Sequence, residues 1–247
     1  MNEQKMSKTI TWVAVIISIG LIISATSASY LFFKGRTAET GVISVVGSAK
    51  QEIKSDFAVW RCQYSAQMHT LPEAFAKLKD DQKTVKEYLI SKDIDEKDLS
   101  VLAVETQIIY VRDNHGMPTS EIESYRLWQA IEIKSNDVDK IDAISKEATE
   151  LIDKGVLMVS QQPQFYYTKI ADLKIEMVAL ATKDAMERAQ KIAENSNAKI
   201  AGMINSNMGV FQIRALYSDE ISDYGINDTT SIHKEIMSVM NCRFKAK

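Results

Sequence analysis

Thr9 to Phe33, "TITWVAVIISIGLIISATSASYLFF", runs for about 25 residues without a charge, and about 20 suffice to cross a bilayer. No other feature limits the architecture so strongly, because an apolar segment of this length has few other places to be buried. Trp12 and Tyr30 stand near its two ends, where interfacial aromatics sit. Lys5 and Lys8 precede the run, and Lys34 and Arg36 follow it, which is a weak charge bias. The short leading tail favours a cytoplasmic N-terminus and places everything from about Gly35 onward outside the cytoplasm. The competing reading is a cleaved signal peptide, with small residues at Thr26 and Ala28. Tyr30, Leu31, Phe32 and Phe33 continue the apolar run past that point, so the stretch is longer than an ordinary h-region. The sequence predicts a cytoplasmic tail over 1–8, a single-pass signal anchor over 9–33 and a linker over 34–41. An extracytoplasmic domain over 42–247 follows. The implied location is the inner (cytoplasmic) membrane, with the lipid bilayer as partner of residues 9–33 and the domain in the periplasm or extracellular space.

The chain as a whole has the composition of a folded protein: 45% of the 247 residues are apolar and 26% charged, which argues against long disorder. The formal net charge is −3 and no basic patch stands out, so no nucleic-acid partner is expected. "VISVV" (Val42 to Val46) reads as a strand. In "SDFAVWRCQYSAQM", Ala58, Trp60, Cys62, Tyr64, Ala66 and Met68 share one face, the period-2 pattern of a half-buried strand. Thr70 and Glu73 form a capping box with Pro72 in the first turn, and Leu71, Ala74, Phe75, Leu78, Val85 and Leu89 follow at helical spacing. Leu99 to Val111 reads as a strand, and Ser124 to Ser135 as its partner beyond a Gly116/Pro118 turn. Asn136 or Asp137 caps a helix with Val138, Ile141, Ile144, Leu151 and Ile152, ended by Gly155. A strand candidate interrupted at Pro163 comes next, the proline pointing to an edge or a bulge.

The longest helix is expected at about Lys169 to Ser196, with Leu173, Met177, Leu180, Ala181, Ala185, Ala189, Ile192 and Ala193 inward. A strand broken at Gly202, a polar loop from Tyr217 to Ser231 and a final strand complete the chain. On that last strand Ile236, Met240, Cys242 and Phe244 share a face with Ser238. The expected class is α+β: an antiparallel sheet with helices packed on one face. Its core is β-α-β-β-α-β, the ferredoxin-like split arrangement, plus an added long helix and strand pair and the N-terminal transmembrane helix.

Chemistry-bearing patterns are tested one by one. "SVVGSAK" (Ser44 to Lys50) resembles a phosphate loop, but Gly41 and Gly47 are followed by Ser48, Ala49 and Lys50 rather than Gly-Lys-Ser/Thr, and a strand rather than a helix comes next. It is read as a strand running into a turn, with Gly47 serving the turn and Lys50 solvated; no nucleotide is expected. His69, His115 and His233 are scattered and have no neighbouring thiols, so no zinc site is predicted. "DIDEKD" (Asp93 to Asp98) lacks the glycine and glutamate of a calcium loop. Asp219, Glu220, Asp223 and Asp228 give the late loop an acidic character. There is no G-x-S-x-G elbow, and Cys62 and Cys242 stand on core faces where a thiol is inert. Those two cysteines either bridge, if their strands are neighbours, or remain two buried thiols. No catalytic, cofactor-binding or metal-binding residue is assigned.

Laid out in order, the elements resemble the SIMPL domain family of bacterial envelope proteins, some of them periplasmic immunogenic or stress-related proteins. The likeness rests on "ISVVGSAKQEIKSDFAVW", on "VDKIDAISKEATELIDKG", on the Gly-Val strand with the alanine-rich helix and strand that follow, and on "SIHKEIMSVMNCRF". Ala49 stands where members have a second glycine, and Ser55 where they have a proline. The resemblance implies an α+β fold, export and large ring-like homo-oligomers. It carries an association with oxidative stress, and it supplies no catalytic residue. The sequence therefore points to a membrane-anchored, non-catalytic, self-assembling scaffold of the cell envelope. Tyr217, Tyr224 and Ile226 on the late loop are its candidate oligomer contacts, against the alternative of a plain flexible loop. A ligand- or polymer-binding module, with Phe165, Tyr166, Tyr167 and Arg126 as lining, is the alternative function, and an unrecognised hydrolase the third.

Overall fold

The computed structural model describes residues 17–33 and 41–247. In chain order the elements are helix α1 (residues 17–33), β1 (Val42–Lys54), β2 (Phe57–Met68), α2 (Leu71–Ser91), β3 (Leu99–Val101), β4 (Glu105–Arg112), β5 (Pro118–Ser135), α3 (Val138–Glu147) and α4 (Glu150–Asp153). They continue with β6 (Leu157–Ser160), β7 (Gln164–Tyr166), α5 (Ile170–Asn195), β8 (Ile200–Met208), β9 (Gln212–Ala215), β10 (Ile226–Asn227) and β11 (His233–Ala246). The result is a mixed α+β chain with antiparallel sheets. It divides into two units, one of residues up to Ser48, Ala181–Met208 and Met240–Lys247, the other of Ala49–Leu180 and Gly209–Val239.

In the larger unit β2 is central. Its even-numbered residues Ala58 to Ala66 are all buried because they face α2 and α3, while Arg61 on the opposite face is exposed. β2 pairs antiparallel with β5 from Ala58↔Ser135 to Met68↔Tyr125. Its other edge carries β6 and β7. Both β3 and β4 lie on the far side of β5, giving the order β3-β5-β2-β6 with β4 beside β5 and β7 beside β2. Thr70 caps α2 by accepting the Glu73 N–H, and its hydroxyl donates to the Glu73 carboxylate at 2.8 Å, so that carboxylate takes the side chain rather than the Thr70 backbone N–H of a reciprocal box. A polar network lies within this core: the Tyr64 hydroxyl donates to Gln129 Oε1 at 2.7 Å, and Gln129 Nε2 donates to the Leu102 carbonyl at 2.7 Å.

Several predicted elements are cut differently. The strand expected over 99–111 is two strands: Val101 faces Ile131 and Glu105 faces Trp128, so four residues answer three and one is bulged. The same two-against-one step separates β6 from β7 around Pro163, at the sheet edge. The helix expected through Ile152 is broken at Ala148 and Thr149 into α3 and α4. Leu71, Phe75 and Ile152, expected inward, are exposed. The strand over 198–216 is divided into β8 and β9, both on β11.

In the smaller unit β8 pairs antiparallel with β11 from Met240↔Met208 to Ala246↔Ile200. β1 does not stop at Val46, and "SVVGSAK" contains no turn: Gly47 lies mid-strand under α5. A Cβ there would meet the Ala181 carbonyl oxygen at 2.2 Å and the Ala185 nitrogen at 2.5 Å. The glycine therefore serves close approach of helix to strand rather than a turn. Asp184 on α5 accepts the Ser48 N–H at 2.8 Å and the Arg188 Nε at 2.9 Å. These bonds, the backbone one first, hold its pKa below the usual carboxylate value. On α5 the spacing Leu173, Met177, Ala181, Ala185, Ala189, Ala193 is a strict four-residue stripe and is buried, whereas Leu180 and Ile192 lie off it and are exposed.

Helix α1 exposes its apolar side chains throughout, from Ile17 to Phe33. No helix among the described residues is long and apolar enough to cross a membrane. The predicted tail 1–8, the predicted span's residues 9–16 and the linker's residues 34–40 lie outside the described residues.

Candidate interaction site

The loop after β9 is built on two buried polar side chains of that strand. Arg214 pairs across the ladder with Glu235 on β11, and its Nη2 lies 2.8 Å from Glu235 Oε1. Its Nη1 reaches back to the Glu220 carbonyl at 3.1 Å. Lys50 approaches the same carboxylate at 3.4 Å, so Lys50 is paired rather than simply solvated. Hydrogen bonding by Arg214, then by Lys50, lowers the pKa of Glu235 against the opposing effect of burial. Gln212 Nε2 donates to the Ser222 carbonyl at 2.7 Å. A buried guanidinium and a buried amide thus hold the backbone of residues 220–222 from below.

The loop's far end is held as firmly. Ile226 pairs in parallel with Gln212, and the Asp228 N–H donates to the Ile213 carbonyl at 2.8 Å. Lys234 is buried, and its Nζ donates to the Phe165 carbonyl at 2.6 Å and the Asp228 carbonyl at 2.5 Å. Burial lowers the pKa of Lys234, with the Asp228 charge acting the other way. Gly225 has φ +84°, and a Cβ on it would lie 2.8 Å from the Phe211 carbonyl oxygen.

On this frame Tyr217 is 90% exposed and Tyr224 98% exposed, with Ile221 between them at 69%. Tyr217 has φ +65°, at the third position of a turn closed by the Ser218 N–H on the Ala215 carbonyl at 3.0 Å. A left-handed backbone costs an L-residue about 1–2 kcal/mol. Asp219, Glu220 and Asp223 are exposed around the tyrosines, and no lysine or arginine lies between Arg214 and Lys234. The structure brings Tyr217 and Tyr224 to the surface of one loop. Ile226, the third candidate, is half-buried in β10.

Cys62 and Cys242 are free, buried thiols; burial pushes Cys62 up to about 12 and raises Cys242 as well. No group of three or more His, Cys, Asp and Glu side chains is disposed to hold a metal among the described residues. His69 Nδ1 lies 3.2 Å from the Glu123 carbonyl oxygen. Phe165 is buried, Tyr166 and Tyr167 are half-buried, and Arg126 donates to Gln67 Oε1 at 2.8 Å. Sequence reading missed Gln212 and Arg214, although polar side chains in the short stretch "FQIRAL" were the available signal. It also missed what Asp56 does: its carboxylate accepts the Thr168 N–H at 2.7 Å and the Thr168 hydroxyl at 2.8 Å, just ahead of α5.

No curated protein matches the chain. The model of the SIMPL family, described as a protein of unknown function (DUF541), matches residues 43–226, well over half of the chain. That span begins in β1 and ends at β10, taking in the glycine under α5, the Asp56 clamp and most of the tyrosine loop. The chain belongs to the SIMPL family.

Proposed function

We propose that this SIMPL chain is a non-catalytic, self-assembling scaffold of the cell envelope, with the loop of residues 217–231 as one of its contacts. The observation that carries the reading is the pair Tyr217 and Tyr224, both at least nine-tenths exposed on a loop whose backbone is fixed by Arg214, Gln212 and Lys234. Exposed aromatics are the usual anchors of protein contacts. A loop already held in shape loses little entropy when it binds. A left-handed tyrosine is a strained residue retained in the open, where it contributes nothing to packing.

The membrane anchor over 9–33 belongs to the same proposal. Its support is the uncharged length of the segment and the open apolar surface of α1. Thr26 Oγ1 also donates back to the Ile22 carbonyl at 2.9 Å, which removes a polar group's cost in lipid. The larger unit is read as the split β-α-β arrangement, supported by the order β6-β2-β5-β4 with α2 and α3 on one face. The non-catalytic reading is supported by the thiols, which are buried and held protonated. Ring closure of the oligomer and a stress role rest on the family resemblance.

Light scattering of the full chain in detergent tests the scaffold reading. The expected result is a mass of several copies that falls when Tyr217 and Tyr224 are both changed to Ser. A single-copy mass at every concentration overturns it. A second reading, a ligand-binding module, is favoured by an open groove of about 760 Å³ beside Val45, Val46, Asp184, Arg188 and Ile192. Thermal-shift screening that raises stability with a small ligand supports that reading instead.

A further inference from the structure

Strand β11 turns one face inward through Met240, Cys242 and Phe244, which are 5%, 1% and 0% exposed. Its register against β8 sets Met208 opposite Met240, Ser206 opposite Cys242 and Met203 opposite Phe244. Cross-strand partners share a face, so the sulfur-bearing side chains of Met208, Met240 and Cys242 stand together on it. The Gly209 N–H donates to the Val239 carbonyl at 2.9 Å, which makes the next pair along, Met208 and Met240, a non-hydrogen-bonded one. In such a pair the Cα atoms are about 4.5 Å apart and the side chains are at their closest. Cys242 follows Met240 by two residues, about 7 Å along the same face.

A fourth sulfur comes from α5. Asp184 and Arg188 border a groove with Val45 and Val46 of β1, whereas Gln190 and Ala193 border a hollow with Ile200 at the start of β8. The flank of Gln190 and Ala193 therefore looks toward β8. Met186, one turn before Gln190 on that flank, is half-buried. All of these residues belong to the smaller unit.

The donors on this face are of one chemical kind. Met203, Ser206, Met208, Met240, Cys242 and Phe244 include no carboxylate, no imidazole and no fixed charge. Thioether and thiolate sulfurs are soft ligands that select Cu(I), and the three rotatable bonds of methionine let its sulfur adjust to a metal from a fixed backbone. We infer that Met208, Met240 and Cys242 form a site for a soft monovalent metal ion, Cu(I), with Met186 closing it from the helix side. Charge favours a monovalent ion. On binding, Cys242 gives its proton to solvent, and one thiolate neutralises one positive charge, so no net charge is buried. A divalent ion such as Zn²⁺ would leave one positive charge uncompensated in apolar surroundings. Entry is by way of Met208, which is 50% exposed, with Met240 and Cys242 behind it. The inference is independent of the self-assembly reading.

Titration of the full chain with Cu(I) against a chromophoric Cu(I) chelator, without oxygen, tests it. One ion per chain is expected to bind, with release of a proton. Met208→Leu and Met240→Leu keep the apolar bulk and remove the sulfur. Each is expected to weaken binding at least about tenfold, the low end of what even an outer-shell partner is worth. Cys242→Ser is expected to weaken it as much and to abolish the proton release. Met208 is half exposed, so its loss of binding is not a loss of fold, and an unchanged Tm without metal checks this. Met117→Leu and Cys62→Ser change sulfurs of the larger unit and are expected to bind as wild type. A wild-type chain that takes up no more Cu(I) than the Met208→Leu/Met240→Leu double variant overturns the site. So does binding that survives Cys242→Ser and is lost with Cys62→Ser.

Discussion

The two halves of β5 are one continuous antiparallel strand, regular against β2 and irregular against β4 beyond Ser124, and they have opposite surroundings. Leu127, Ile131 and Ile133 lie at 2% exposure or less, Leu127 between β2 and β4 and the two isoleucines between β2 and β3. Ile122 in the other half is 44% exposed, with only β4 beside it. Ladder hydrogen bonds are present in both halves, so they do not account for the difference. Cover does: a sheet face becomes core only when helices are laid over it, and every residue from Pro118 to Glu123 is exposed. The lesson is that, among the described residues, nothing covers the apolar side chains of the open half.

The sharpest way to break that comparison is to truncate the same residue type in each half. Ile133→Ala is expected to cost about 2–5 kcal/mol by lost burial and a cavity, lowering Tm by roughly 10 °C in a denaturation scan. Ile122→Ala is expected to stay within about 0.5 kcal/mol of wild type, as open surface substitutions do. Equal costs would erase the distinction.

A comparable loss is expected below the tyrosine loop. Glu235→Ala leaves the Arg214 guanidinium buried without its partner, a change worth about 3–5 kcal/mol. Chemical denaturation reads that loss, and faster amide exchange at residues 218–225 shows that the loop has lost its support. Tyr217→Gly is expected to leave Tm within a few degrees, because the lost left-handed strain and the glycine's greater unfolded entropy offset each other. The same change is expected to lower the assembled mass.

Acid is expected to act on the covered half in particular. Glu132 accepts hydrogen bonds from Lys134 and Arg61, the Lys134 bond being the larger cause, and its pKa lies below the ordinary glutamate value. A carboxylate whose folded pKa is depressed stabilises the fold fully above its unfolded value of about 4.3, and the contribution is lost as pH falls through the folded value. Stability should therefore decline below about pH 4, with Glu235, Asp184 and Asp228 contributing in the same direction. Glu132→Gln is expected to flatten part of that decline, a small effect measurable by urea midpoints across pH.

Much of this fold is legible in residue order. Alternation from Ala58 to Ala66 fixes the inner face of β2, the Thr70 cap marks the start of α2, and Pro163 marks the bulge. What fails to show is set by long-range cover. Leu71, Phe75, Leu180 and Ile192 have helical spacing but lie just outside the stripe that another element covers. Gly47 looks like a turn glycine because its reason for being glycine, the backbone of Ala181 and Ala185, is more than 130 residues away. Of the candidate site, Tyr217 and Tyr224 are legible as exposed aromatics in a polar loop. Their support by Arg214 and Gln212 is not, since it depends on β9 lying against β11.

The most direct test of the comparison between the two halves of β5 is amide hydrogen exchange of the full chain, read at residues 118–123 and at residues 127–133. The account predicts that the amides of 127–133 exchange only when the fold opens as a whole, while those of 118–123 exchange at least about tenfold faster. Equal protection in the two halves would contradict it.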